Sequence, residues 1–104
     1  MKIYIAGPMR GYEDLNYPAF NEAAEDLKAV GWEVSNPAEI NPDTTTPYAE
    51  CMRSDLAALV ECEAIYMLKG WGESKGATLE YQIAEALEMD IYYQDVDYSE
   101  EEET

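Results

Sequence analysis

Apolar and polar positions along this chain switch between two periods. Lys2–Ala6 is a short apolar run that stops at Gly7-Pro8 and reads as a strand. Over residues 18–30 the apolar positions Phe20, Ala23, Ala24 and Leu27 recur at helical spacing and predict an amphipathic helix. Asn16 is placed to cap it, Pro18 sits in its first turn and Gly31 stops it. Residues 32–35 form a second short strand, and Asn36-Pro37 and Asn41-Pro42 mark a loop. Helical spacing returns over residues 47–60 through Met52, Leu56, Leu59 and Val60. Residues 64–68 predict a third strand, Gly70-Trp71-Gly72 a flexible loop, and residues 76–88 a third helix. Ala77, Tyr81, Ala84 and Leu87 share one face of that helix, and Asp90–Tyr93 reads as a fourth strand.

Strands alternating with helices predict an α/β fold: a three-layer sandwich on a short, flavodoxin-like parallel sheet. Right-handed crossovers favour the strand order 2-1-3-4. Ligands of such sheets sit beyond the carboxyl ends of the strands, where the order reverses. That point lies between the first and third strands, so loops 7–16 and 69–75 should border the site. At 104 residues the chain is one domain, expected over residues 1–94, with no internal repeat. From Asp95 onward it reads as an acidic, frayed tail holding six of the 23 acidic residues.

Charge removes whole classes of function. There are 23 acidic residues against 6 basic ones, a formal net charge of -17. A duplex nucleic acid partner needs a basic stripe, and an anionic membrane surface would repel this chain. The chain has no histidine, which removes Ser-His-Asp and Cys-His catalysis and the commonest zinc sites. Cys51 and Cys62 match no metal spacing and cannot make a disulfide scaffold, so reduced thiols are expected. With neither a signal peptide nor an apolar run of roughly 20 residues, the expected location is cytoplasmic.

Three features remain as candidates for chemistry. Gly7-Pro8-Met9-Arg10-Gly11 follows the first strand, and its glycines bracket an arginine whose planar fork matches phosphate or carboxylate. It is neither a Walker loop nor a dinucleotide fingerprint. Ser74-Lys75-Gly76 opens the third helix, where free N–H groups suit an anion, although a plain serine cap has the same signature. Asp55 and Glu80 fall on the apolar stripes of their helices, where an acid is uncommon unless paired or functional. Trp71 and Tyr12 are candidate surfaces for stacking a base, and a tryptophan in such a loop can equally cap the core.

The ordered motifs Tyr4-Ile5-Ala6-Gly7-Pro8-Met9-Arg10-Gly11, Asn16-Tyr17-Pro18-Ala19-Phe20-Asn21, Arg53-Ser54-Asp55-Leu56 and Gly70-Trp71 to Glu80 resemble the nucleoside 2-deoxyribosyltransferase-like superfamily. The resemblance spans nearly all of residues 2–93. It is strongest to a branch of small phage and bacterial proteins described as a domain of unknown function. It implies that Tyr4 borders a nucleoside site, that Asp55 assists at the base or sugar, and that Glu80 is the nucleophile. Ser74 stands where the transferases hold a sugar hydroxyl with aspartate. A serine there resembles the 2'-deoxynucleoside 5'-phosphate N-hydrolases, in which it helps bind the phosphate. Their first loop, Gly-Ser-x-Arg-Gly, is close to Gly7-Pro8-Met9-Arg10-Gly11, but Pro8 offers neither a hydroxyl nor an N–H donor.

The expectation is cleavage or transfer at the N-glycosidic bond of a deoxynucleoside 5'-monophosphate. Glu80, Asp55 and Tyr4 would be catalytic, and Gly7, Pro8, Met9, Arg10, Gly11, Trp71, Ser74 and Gly76 would bind substrate. No metal and no organic cofactor is called for. The partner is a small nucleotide or nucleoside, and a homodimer or higher homo-oligomer is expected. Two rivals stand beside it: a pocket that binds a nucleotide without turning it over, and an acidic interaction protein.

Overall fold

A computed structural model describes residues 1–95. The tail expected from Asp95 to Thr104 therefore lies, beyond its first residue, outside the described residues. Four strands form one all-parallel sheet: β1 (Lys2–Ala6), β2 (Glu33–Ser35), β3 (Ala64–Met67) and β4 (Asp90–Tyr93), in the order β2-β1-β3-β4. β1 lies in the centre, with Tyr4 opposite Ser35 on one side and Ile65 on the other. The order is the one the element pattern predicts. The sheet reverses direction of winding between β1 and β3.

Side-chain alternation along β1 divides the interior in two. Ile3 and Ile5 join Ala64 and Leu68 beneath α1 (Tyr17–Ala29), which contributes Phe20, Ala23, Ala24 and Leu27. Tyr4 and Ala6 face the other way, with Ile65 and Met67, under α3 (Tyr48–Leu59) and α4 (Lys75–Ala86). Burial of a side chain such as Phe20 or Ile5 contributes roughly 1.5–3 kcal/mol, so each layer is held mainly by its apolar contacts. Among the described residues no helix is long and apolar enough to cross a membrane.

The structure departs from the helical reading in four places. Residues 36–42 are not only loop: α2 (Pro37–Ile40) forms a single turn capped by the Asn36 side chain, whose Oδ1 accepts the Ala38 N–H at 3.0 Å. A turn this short leaves no periodicity to detect. Val60 and Leu87 end their helices exposed, at 51% and 52%, because both lie at the C-cap, past the last turn that rests on the sheet. Asn16 precedes α1 without a side-chain cap. Its φ of 62° turns the amide away, and Nδ2 donates to the Pro8 carbonyl at 3.0 Å.

Candidate functional site

The carboxyl ends of β1 and β3 open into a cavity of about 740 Å³, within the usual range for small-molecule sites. Gly7 makes this end possible. The Leu68 N–H donates to the Ala6 carbonyl at 2.8 Å, drawing the two chains together just where β1 ends. A Cβ on residue 7 would lie 2.7 Å from the Leu68 Cβ, so only glycine fits there. Beyond it the chain turns back through Asp14, Leu15 and Asn16, three consecutive non-glycine residues with positive φ. Left-handed backbone costs on the order of 1–2 kcal/mol per residue, and strain of this kind gathers at binding sites. Leu15 contributes to the cavity wall.

Helix periodicity carries the two acids inward. On α4, Ala77, Glu80 and Ala84 share the buried face, and on α3 Asp55 lies one turn before Leu59. Both acids are 5% exposed and line the cavity. Tyr4, on the same face of β1, donates its hydroxyl proton to Glu80 Oε2 at 2.5 Å. Asn41 Nδ2 donates to Asp55 Oδ1 at 2.9 Å.

Burial sets the protonation of this group. Loss of solvation raises Glu80 to about 8; the Tyr4 hydrogen bond pulls it down and the nearby Asp55 pushes it up. Asp55 is raised to about 7 by burial, against the opposing Asn41 bond. The Tyr4 phenol is driven well above its usual value, first by burial and then by the neighbouring acids. Two interacting carboxyls raised in this way titrate as a pair and can hold one proton between them near neutrality.

The cavity also has a cationic edge. Arg10 is exposed on the loop after β1, its guanidinium stacked 4.6 Å from the centroid of the Tyr48 ring. Ser74 caps α4 as expected, its Oγ accepting the Ala77 N–H at 3.2 Å, which leaves its hydroxyl proton free to be donated. The Lys75 and Gly76 amides belong to the first turn of α4, which has no intrahelical acceptors for them. Gly76 keeps this turn open: a Cβ there would meet the Tyr48 hydroxyl at 3.2 Å and Met52 Sδ at 3.4 Å. Among the described residues no group of three or more carboxylate or thiol side chains could hold a metal ion.

Gly7, Pro8, Met9, Arg10, Ser74, Gly76, Asp55 and Glu80 therefore meet at one cavity, with Tyr12 on its wall and Tyr4 directly behind Glu80. Two of the expected binding residues do not join them. Gly11, at φ 85°, serves the turn beside the cavity and is not part of its lining. Trp71 lies off the cavity wall, stacked on Tyr81 with centroids 4.7 Å apart and packed against the core under α4. Of its two readings as a tryptophan in a glycine loop, the structure realises the core cap. Lys75 of the Ser74-Lys75-Gly76 motif joins the cavity wall, whereas sequence reasoning missed Tyr17, Asn41, Tyr48 and Cys51, which line it too. Asn41 and Tyr17 carried a weak signal, as a loop asparagine before proline and a tyrosine before a helix proline. The rest had none, since an exposed helix-start tyrosine looks like surface.

Residues 1–93 match the family model described as Domain of unknown function (DUF4406), and the chain belongs to that family. No curated protein matches it.

Proposed function

We propose that this DUF4406 domain acts on the N-glycosidic bond of a deoxynucleoside 5'-monophosphate, by hydrolysis or by transfer of the deoxyribosyl group. The observation that carries the reading is the pairing, in one cavity, of two buried acids with a cationic helix-start edge. In a chain of net charge -17, Arg10, Ser74 and the first turn of α4 are a local exception that suits a phosphate.

The Glu80 carboxylate attacks the anomeric carbon, and the bond from that carbon to the base nitrogen breaks. Asp55 delivers its proton to the departing base, leaving a deoxyribosyl ester on Glu80. Water then attacks the same carbon, returns a proton to Asp55 and frees Glu80; a second base in place of water gives transfer. The productive form has Glu80 ionised and Asp55 protonated, the minor arrangement of the shared proton when Glu80 is raised to about 8 and Asp55 to about 7. The singly protonated pair is most populated between the two titrations, so turnover should peak there. The Tyr4 hydroxyl holds the ionised Glu80 oxygen through its 2.5 Å bond. Pairing of two copies through the helices beside the site belongs to the same reading, and a light-scattering mass of one chain at every concentration would remove that part.

A panel of deoxynucleosides and their 5'-monophosphates, incubated with protein and scored chromatographically for free base, tests the proposal. Base should be released from a monophosphate faster than from its nucleoside. Arg10→Ala should weaken monophosphate binding roughly tenfold to a hundredfold, the worth of one charge-assisted contact, and leave nucleoside binding unchanged. Binding without base release would favour the non-catalytic pocket, and no binding of either ligand would sink both readings.

A further inference from the structure

Short helix α2 is tied down more firmly than one turn of chain requires. At its start the buried Asn36 side chain caps the helix and also donates from Nδ2 to Asn21 Oδ1 of α1 at 3.0 Å. At its end Tyr17, also on α1, donates its hydroxyl proton to the Asn41 backbone carbonyl at 2.6 Å. Both anchors belong to the helical layer on the far side of the sheet from α3. The residue they hold in place is Asn41, whose side chain reaches Asp55.

We infer that Asn41 is a positioning residue for Asp55, fixing which carboxyl oxygen carries the proton and favouring its release. The inference rests on the proposed role of Asp55 as the acid, but its geometry stands without it. An amide can donate only through nitrogen, and Nδ2 here occupies Oδ1 of Asp55. When Asp55 is protonated, the oxygen that accepts this bond is the carbonyl oxygen, so the proton rides on Oδ2. When the proton leaves, the same N–H stabilises the carboxylate. The Tyr17 bond to the Asn41 backbone holds the donor at its working distance.

The other groups around Asp55 cannot do this. Glu80 on α4, Tyr4 on β1, Tyr17 on α1 and Cys51 on α3 all interact with it electrostatically. But Glu80 is itself an acid, and Tyr4, Tyr17 and Cys51 give their protons to Glu80, the Asn41 carbonyl and the Thr46 carbonyl. Asp43, Glu73, Arg10 and Lys75 share the cavity, the two cations on its exposed edge. Asn41 supplies the bond that opposes the effect of burial on Asp55.

The test is a carboxyl-carbon NMR titration of the ligand-free full chain carrying labelled aspartate, with the Asp55 signal identified by its loss in Asp55→Asn. In Asn41→Ala the Asp55 midpoint should rise by roughly 1 to 2 pH units, the worth of one hydrogen bond to a charged group. Tyr17→Phe should move it the same way by less, and the double variant no further than Asn41→Ala alone. An unmoved or lowered midpoint in Asn41→Ala overturns the inference, even if the melting temperature falls, because a purely structural tie would lower only the latter. Should Asn41→Ala not fold, the bulkier Asn41→Leu, which also lacks the donor, decides by the same criterion. No nucleotide is present, so an unmoved midpoint overturns the role of Asn41 alone. A failed base-release panel with a shifted midpoint overturns the reaction alone.

Discussion

The two helical layers of this sheet are built from the same kind of periodic sequence yet bury different chemistry. On one side α1 buries Phe20, Ala23, Ala24 and Leu27, every one apolar. On the other, α3 buries Asp55 with Leu59, and α4 buries Glu80 between Ala77 and Ala84. The first layer is mainly a packing surface, reaching the cavity only through Tyr17 and Phe20 at the start of α1. The second gives two of its core positions to carboxyl groups whose titrations burial raises to about 7 and about 8. Groups placed there destabilise the fold once ionised, so their presence calls for a use other than packing.

The sharpest way to break this contrast is to exchange the kind of damage done to each layer. Glu80→Gln keeps the shape and removes the carboxylate proposed as nucleophile, so on that proposal base release should fall by roughly 10⁴-fold or more while the fold persists. Leu27→Ala, on the buried face of α1 and away from the cavity wall, should do the reverse. Its loss of roughly 2–5 kcal/mol of stability, read by urea unfolding, should leave the reaction of the still-folded fraction intact. A large stability loss in Glu80→Gln, or an inactive but stable Leu27→Ala, would erase the distinction between the layers.

A second effect follows from titration. Glu80 and Asp55 ionise at about 8 and about 7 in the folded chain, against 4.5 and 3.8 in an unfolded one. The folded state therefore holds these protons more tightly. The stability linked to them is full below the unfolded values and is lost as pH rises through the folded ones. Urea midpoints should fall between pH 4.5 and pH 8 in the wild type, by an amount on the order of a few kcal/mol in free energy. In Asp55→Asn combined with Glu80→Gln that decline should flatten, since only the surface acids remain to titrate. A slope identical in both proteins would mean the two carboxyls are not held in low-polarity surroundings.

The smallest expected effect concerns the glycines that border the site. Gly7→Ala would drive a Cβ to 2.7 Å from the Leu68 Cβ, an atom fixed to the backbone, and should cost roughly 1–3 kcal/mol. Gly76→Ala meets only the ends of the Tyr48 and Met52 side chains, at 3.2 and 3.4 Å, and alanine favours helix by about 1 kcal/mol. Its stability should change little, and equal losses in the two variants would contradict the close approach assigned to Gly7.

Local pattern was enough for much of this molecule. Strand alternation at Ile3, Tyr4 and Ile5, and helical spacing at Phe20, Ala23, Ala24 and Leu27, are properties of neighbouring residues, and chirality of the crossovers then orders the strands. Asp55 and Glu80 were visible for the same reason, as acids breaking an apolar stripe. The partners of those acids were not. Tyr4 and Glu80 are 76 residues apart, and Asn41 reaches Asp55 from a turn too short to show a period. Trp71 has the same neighbours in sequence whether it lines a pocket or stacks on Tyr81, and only the packing of α4 and β4 chooses between them. Periodicity reports which face a side chain shares. The distance, burial and hydrogen bonding that set its chemistry arise only when separate elements are brought together.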